Sequence, residues 1–182
     1  HLSLESAGVI EREADEFASN LLMPGDVLRA RITSQDVDLH LLSGLAKAFG
    51  VSFEALCIRF IKYTEKRAIL LHWDNGFLKY EWRSKSAILS KTRIRRISEP
   101  VEPLRNTVAA EESISQEWDG LEMPAAVWCV DEQPYMKLLE FKHSYSGHDR
   151  VLTLLILEDA EPRRWDNSWE DPDTAYALAS CQ

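Results

Sequence analysis

Few residues in this chain have both the type and the spacing to do chemistry. Glu11 and Asp15 stand four apart in a stretch patterned as a helix, so their carboxylates project together from its polar side. Glu13, two residues on from Glu11, points roughly the opposite way, so only one of Glu11 and Glu13 can share a face with Asp15. An acidic pair near a helix N-terminus is most often a solvated face favoured by the helix dipole, and that reading stands beside any catalytic one. The five histidines, His1, His40, His72, His143 and His148, include no pair spaced i and i+4 on a helix, and no HExxH occurs in the sequence. The three cysteines, Cys57, Cys129 and Cys181, form no CxxC pair, which argues against a disulfide framework and against a cysteine zinc site. Cys129, between Trp128 and Val130, reads as a buried small hydrophobe and not as a nucleophile. From Arg83 to Arg96 the chain carries six basic residues and no acid, with Arg93, Arg95 and Arg96 the densest part. A nucleic-acid patch is one reading of that run; an exposed strand edge or linker is the commoner one.

The elements that position these groups follow from periodicity. From about Gly8 to Leu22, Ile10, Ala14, Phe17, Ala18, Leu21 and Leu22 recur at three- and four-residue spacings, the stripe of an amphipathic helix. Pro24-Gly25 breaks it, and Asp26 is placed to cap a short helix to about Arg31. Thr33-Ser34 offers a cap for a further helix that closes at Gly50, and Ser52 starts another through about Tyr63. The link Phe49-Gly50-Val51-Ser52 resembles the turn of a helix-turn-helix, a turn that also joins many helix pairs that only pack together. After Lys66 the period changes. Two apolar runs flank Asp74-Asn75-Gly76, a hairpin signal, and Ala125 to Val130, Tyr135 to His143 and Val151 to Glu158 read as strands. Pro100 to Glu117 reads as mixed and partly helical. The tail from Asp159, with Trp165 and Trp169, has no clear period.

With 182 residues and 45% hydrophobic content the chain can build a substantial core. No run approaches the roughly 20 apolar residues of a membrane span, and the first residues lack a signal-peptide layout, so no membrane association and a cytoplasmic setting are expected. A net charge of −9 disfavours nucleic acid as a partner of the whole chain.

The most specific text is the run Glu11-Arg12-Glu13-Ala14-Asp15-Glu16-Phe17-Ala18-Ser19-Asn20-Leu21-Leu22-Met23-Pro24. It resembles the second signature of the ImmA/IrrE zinc metallopeptidases, an ExxA[DN]xFAxxLLMP-like helix of gluzincin-like character. Downstream, Leu45-Ala46-Lys47-Ala48-Phe49-Gly50-Val51-Ser52-Phe53-Glu54-Ala55-Leu56 is similar to a helical segment that commonly follows it. The resemblance implies that Glu11 ligates zinc and that Asp15 orients a metal-bound histidine. It also implies an upstream HExxH segment as partner and a protein substrate, typically a repressor, within transcription regulation and stress response.

The expected fold is therefore α+β, in three parts. Residues 1–32 would be the C-terminal remnant of a zincin-like peptidase domain, 33–65 a helix-turn-helix-like segment, and 66–182 a β-rich half that by analogy is GAF- or PAS-like and senses a signal or positions substrate. Zinc is expected in the complete parent and not bound tightly by this chain alone, which lacks HExxH and is expected to be inactive alone. The alternative is a non-catalytic regulatory or interaction module, binding DNA or protein. The oligomeric state does not follow from the sequence.

Overall fold

The computed structural model describes residues 13–14, 16–33, 36–145 and 149–163. The fold is α+β. Helical backbone at residues 16–22 leads through Pro24 into α1 (Gly25–Thr33), followed by α2 (Leu39–Phe49) and α3 (Phe53–Tyr63). Asp38, and not Thr33 or Ser34, caps α2: its carboxylate accepts from the Leu41 amide at 2.7 Å. Gly50 closes that helix in the left-handed conformation (φ 68°), and Ser52 caps α3 by accepting from the Ala55 amide at 3.1 Å. α2 and α3 meet at 109°, within the range of helix-turn-helix pairs. No single helix among the described residues is long and apolar enough to cross a membrane.

Five antiparallel strands form the main sheet: β1 (Arg67–Asp74), β2 (Phe77–Arg83), β4 (Gln116–Pro124), β6 (Lys137–Ser144) and β7 (Arg150–Leu157), in the order β2-β1-β7-β6-β4. The hairpin between β1 and β2 turns at Asn75 (φ 52°) and Gly76 (φ 81°), the two positive angles that an Asn-Gly turn supplies at low cost. Between β2 and β4 lie α4 (Lys85–Leu89) and β3 (Arg93–Ile94). α5 (Ala125–Trp128) follows β4 and leads into β5 (Cys129–Val130), which pairs with β3.

Two further expectations are corrected. Ala125 to Val130 is not a strand throughout, because its first four residues form the helical turn α5. A short apolar run fits a buried helical turn as well as a strand, and periodicity cannot separate them. Pro100 to Glu117 contains no helix; it is irregular up to β4, a largely exposed edge strand whose register shifts between Glu117 and Leu121. Gly120 (φ 88°) sits in that bulge, where an added Cβ would come within 2.7 Å of the Phe141 ring. Trp165 and Trp169 lie outside the described residues.

β1 and β7 are covered on both faces. On one, Ala68, Leu70, Phe141, Leu154 and Ile156 pack with Met23, Leu28, Leu42, Leu56, Phe60 and Ile61 of the helical segments. On the other, Ile69, Leu71, Trp73, Leu138 and Leu155 pack with Ala87, Leu104, Ala109 and Trp128. The helical segments and the β-rich half thus share one apolar core. In the second layer the fully buried Glu140 carboxylate accepts from the Ala109 amide at 2.7 Å and from Trp128 Nε1 at 2.9 Å. Burial, partly opposed by these donors, raises its carboxyl above the ordinary 4.5.

Two outcomes follow. Phe60→Ala, which empties a fully buried site between α3 and the sheet, is expected to cost about 3–5 kcal/mol. Helix ellipticity and tryptophan fluorescence should then lose their structure in one coincident urea transition, and separate midpoints would show that the halves fold independently. For Glu140, a folded pKa raised above the unfolded value means that the folded state holds its proton more tightly. Its stabilising contribution is complete below the unfolded value of 4.5 and is lost as pH rises through the folded one. The stability of wild type relative to Glu140→Gln should therefore be greater in acid than at neutral pH, measured by urea unfolding at both; the opposite trend would mean that the N–H donors outweigh burial.

Candidate functional site

The signature helix docks by its polar side. Asn20 Oδ1 accepts from Arg59 Nη2 at 2.6 Å, and the Met23 carbonyl accepts from Arg59 Nη2 at 3.1 Å and from Nε at 3.3 Å. Lys62, one turn further along α3, donates to the Glu16 carboxylate and holds it below its usual range. Arg59 is itself buried, with its guanidinium over the Tyr63 ring at 4.5 Å from the centroid. Gly25 is required beneath that ring, since a Cβ there would lie 2.6 Å from Tyr63 Cζ. The stripe does not face the core: of its described members Ala14 and Ala18 are exposed, and Phe17, Leu21 and Leu22 are 70%, 69% and 53% exposed, while Met23, just past the helix, is buried. Glu11 and Asp15 lie outside the described residues, while Glu13 is helical and exposed.

α3 is the hub of this arrangement. At its first turn, Glu54 Oε1 lies 2.8 Å from Nδ1 of His72 on β1, without the alignment of a hydrogen bond. Around this contact stand Tyr80, edge-on to His72 at 5.9 Å, and His143, 4.8 Å from the Phe53 ring and 4.7 Å from Tyr145. Gln116 orders the outer edge of the group. Its Oε1 accepts from Trp118 Nε1 at 2.6 Å, and its amide nitrogen donates to the Ser144 carbonyl at 2.9 Å. The same oxygen lies 2.8 Å from His143 Nδ1, which therefore carries the ring proton. Burial lowers the His143 pKa, so the ring stays neutral near pH 7.

None of Asn20, Glu54, Arg59, His72 or Tyr145 was singled out from the sequence. A usable signal existed for two of them, because Arg59 interrupts the apolar face of α3 and His72 interrupts the apolar run of β1. Cys57 and Cys129 are buried and free, and burial pushes both thiols up, that of Cys129 to about 12, so neither is poised as a nucleophile. Among the described residues no three His, Cys, Asp or Glu side chains converge so as to hold a metal ion.

The basic run engages the protein's own groups. Arg93 lies 3.6 Å from Asp131, Arg96 donates to Glu81 at 2.9 Å, and Arg95 donates to the Ala126 carbonyl at 3.1 Å. α3, the helix that would read DNA in a helix-turn-helix, is covered on the sheet with Leu56, Cys57, Arg59, Phe60 and Ile61 buried.

The clamp makes a direct prediction. Arg59→Met removes charge-assisted hydrogen bonds and leaves the Met23 carbonyl unpaired, at a cost of about 1.5–3 kcal/mol. Limited proteolysis is expected to cut residues 13–22 faster in the variant than in wild type, and unchanged cleavage there would show that the clamp does not hold the helix.

Residues 2–60 match the model of a peptidase family, M78, described as the IrrE N-terminal-like domain. The match takes in the signature run, α1, α2 and α3 as far as Phe60, and so includes both Arg59 and the groups it holds. No curated protein matches the chain. The similarity to that family thus lies in the segment whose signature helix is clamped to α3 and whose helices share a core with the sheet.

Proposed function

We propose that this chain is the signature-bearing and regulatory portion of a zinc endopeptidase of ImmA/IrrE type that cleaves a repressor-like protein. The observation that carries the reading is the family match over residues 2–60, within which Arg59 ties the signature helix to α3. Glu11 is the zinc ligand in this reading, and Asp15 fixes the ring of a metal-bound histidine. The described side chains do not fit a zinc site. In this reading the two histidines and the general base are supplied by an HExxH helix. Zinc, held there, would polarise the peptide carbonyl and activate water. The chain's own residues contribute one ligand, its orientation, and the fixed end of the helix that carries it.

The division of labour follows the sequence: 1–32 belongs to the peptidase domain, 33–65 is the helical connector and 66–182 is a GAF- or PAS-like sensor. Supporting the last assignment, the main-sheet strands taken in chain order lie as 2-1-5-4-3, with a helical layer on one face and a mixed layer on the other. A second reading, a non-catalytic interaction module, is favoured by one observation. Phe17, Leu21 and Leu22 present an exposed apolar face on a helix already held by its polar side. Such a face suits a protein partner better than DNA.

The test is cleavage of a neighbouring-gene repressor by this chain supplied with an HExxH-bearing helix, in cis or in trans. Glu11→Ala is expected to abolish cleavage, and Asp15→Asn to slow it by roughly 10–100-fold. No cleavage by the wild-type assembly would overturn the peptidase reading in favour of the interaction module, and cleavage by Glu11→Ala at the wild-type rate would remove Glu11 from the metal site. Calorimetric titration of the chain alone with zinc is expected to show no sub-micromolar site that depends on Glu11.

A further inference from the structure

The contact between Glu54 and His72 leaves more polar groups than it satisfies. Neither ring nitrogen of His72 makes a hydrogen bond although the residue is 5% exposed, and the buried hydroxyl of Tyr145 makes none either. Buried polar atoms without partners are rare in native folds and costly to maintain, so one on β1 and one just past the end of β6, both within electrostatic reach of Glu54, point to a ligand. We propose that Glu54, His72 and Tyr145 form a binding site for a small organic cation carrying a primary ammonium group.

The sign of the charge follows from Glu54. Its carboxylate forms no ion pair with a Lys or Arg among the described residues, its one ion-pair contact there being with His72. Arg150, the cation nearest Tyr145, is engaged over the phenol ring at 5.2 Å from its centroid. An anion entering here would meet an uncompensated carboxylate, whereas a cation supplies the missing charge.

The hydrogen-bonding capacity agrees. In the neutral form of the His72 ring, the carboxylate oxygen 2.8 Å from Nδ1 favours the tautomer with the proton on that nitrogen, and Nε2 then presents a lone pair. The phenol of Tyr145, pushed up first by burial and then by Glu54, stays protonated and its oxygen can accept. Carboxylate, imidazole and phenol thus offer three acceptors to the three N–H donors of an ammonium group. Tyr80 and Phe53 supply aromatic rings beside them. The Glu54 side chain, 25% exposed, marks the side from which a ligand enters.

The inference rests on the sensor reading of the β-rich half and names its signal. It also supplies a route: Glu54 begins the helix whose Arg59 and Lys62 hold the signature segment, so a cation bound at one end of α3 acts on the element that clamps the other.

The test is titration of the full chain with ethylammonium chloride, followed by calorimetry and by the imidazole nitrogen resonances of His72. Ethanol, sodium acetate and potassium chloride serve as matched neutral, anionic and ionic-strength probes. Saturable binding of ethylammonium alone is expected, weakened roughly tenfold or more by Glu54→Gln and measurably by Tyr145→Phe. Absence of saturation, equal affinity in both variants, or preference for acetate would each overturn the proposal. Near-ultraviolet circular dichroism establishes that the variants are folded, and if Glu54→Gln is not, Tyr145→Phe decides. The readout needs neither zinc nor cleavage, so its failure leaves the peptidase reading standing, and failure of the Glu11 test leaves this one standing.

Discussion

A guanidinium cannot be buried in an apolar layer unless acceptors come with it, and Arg59 places that demand on the whole helical half. Its acceptors are the carbonyl that ends the signature helix and the amide side chain one turn before it. The burial of Arg59 and the position of the signature helix are therefore one fact. Gly25 and Tyr63 complete it, the glycine by letting the ring lie close and the ring by facing the guanidinium. Because α3 also packs its apolar side on β1 and β2, the same helix is fixed from both directions.

The opposite layer of the sheet is built by the same rule with different groups. Arg67, whose side chain is 2% exposed, donates to Ser90, Thr92, Glu132 and the Glu158 carbonyl, tying β1 to α4 and to the end of β7. Glu140 anchors the irregular segment near Ala109 and the turn at Trp128. Polar groups with complete partnerships pin the non-repetitive parts of the chain, where backbone ladders are short, and the apolar contacts do the rest. His72 and Tyr145 depart from this rule, which is why they stand out.

What was legible in the sequence was what local physics writes there. Gly50, Ser52 and the Asn75-Gly76 turn each declare a backbone conformation, and each adopts it. The central strands β1, β6 and β7 carry apolar runs long enough to be read. The edge strand β4 was missed because its burial comes from one face only and its bulge breaks the alternation. The turn at α5 was misread because four apolar residues carry no period. The site was less legible still. The signature run pointed to Glu11 and Asp15 by resemblance, whereas Arg59, Glu54, His72 and Tyr145 become a group only when residues far apart in the chain are brought together by tertiary packing.

The register of the sheet has a consequence for how the protein is made. β1 pairs along its full length with β7, so residues 67–74 have their second neighbour only when residues 150–157 exist. Until then a nearly continuous apolar strand keeps one edge open, beside a hairpin already able to form. On the ribosome the helical layer and the first hairpin must wait, half-built, for the last strand to slot between two others. A nascent chain halted before that strand would expose an aggregation-prone edge.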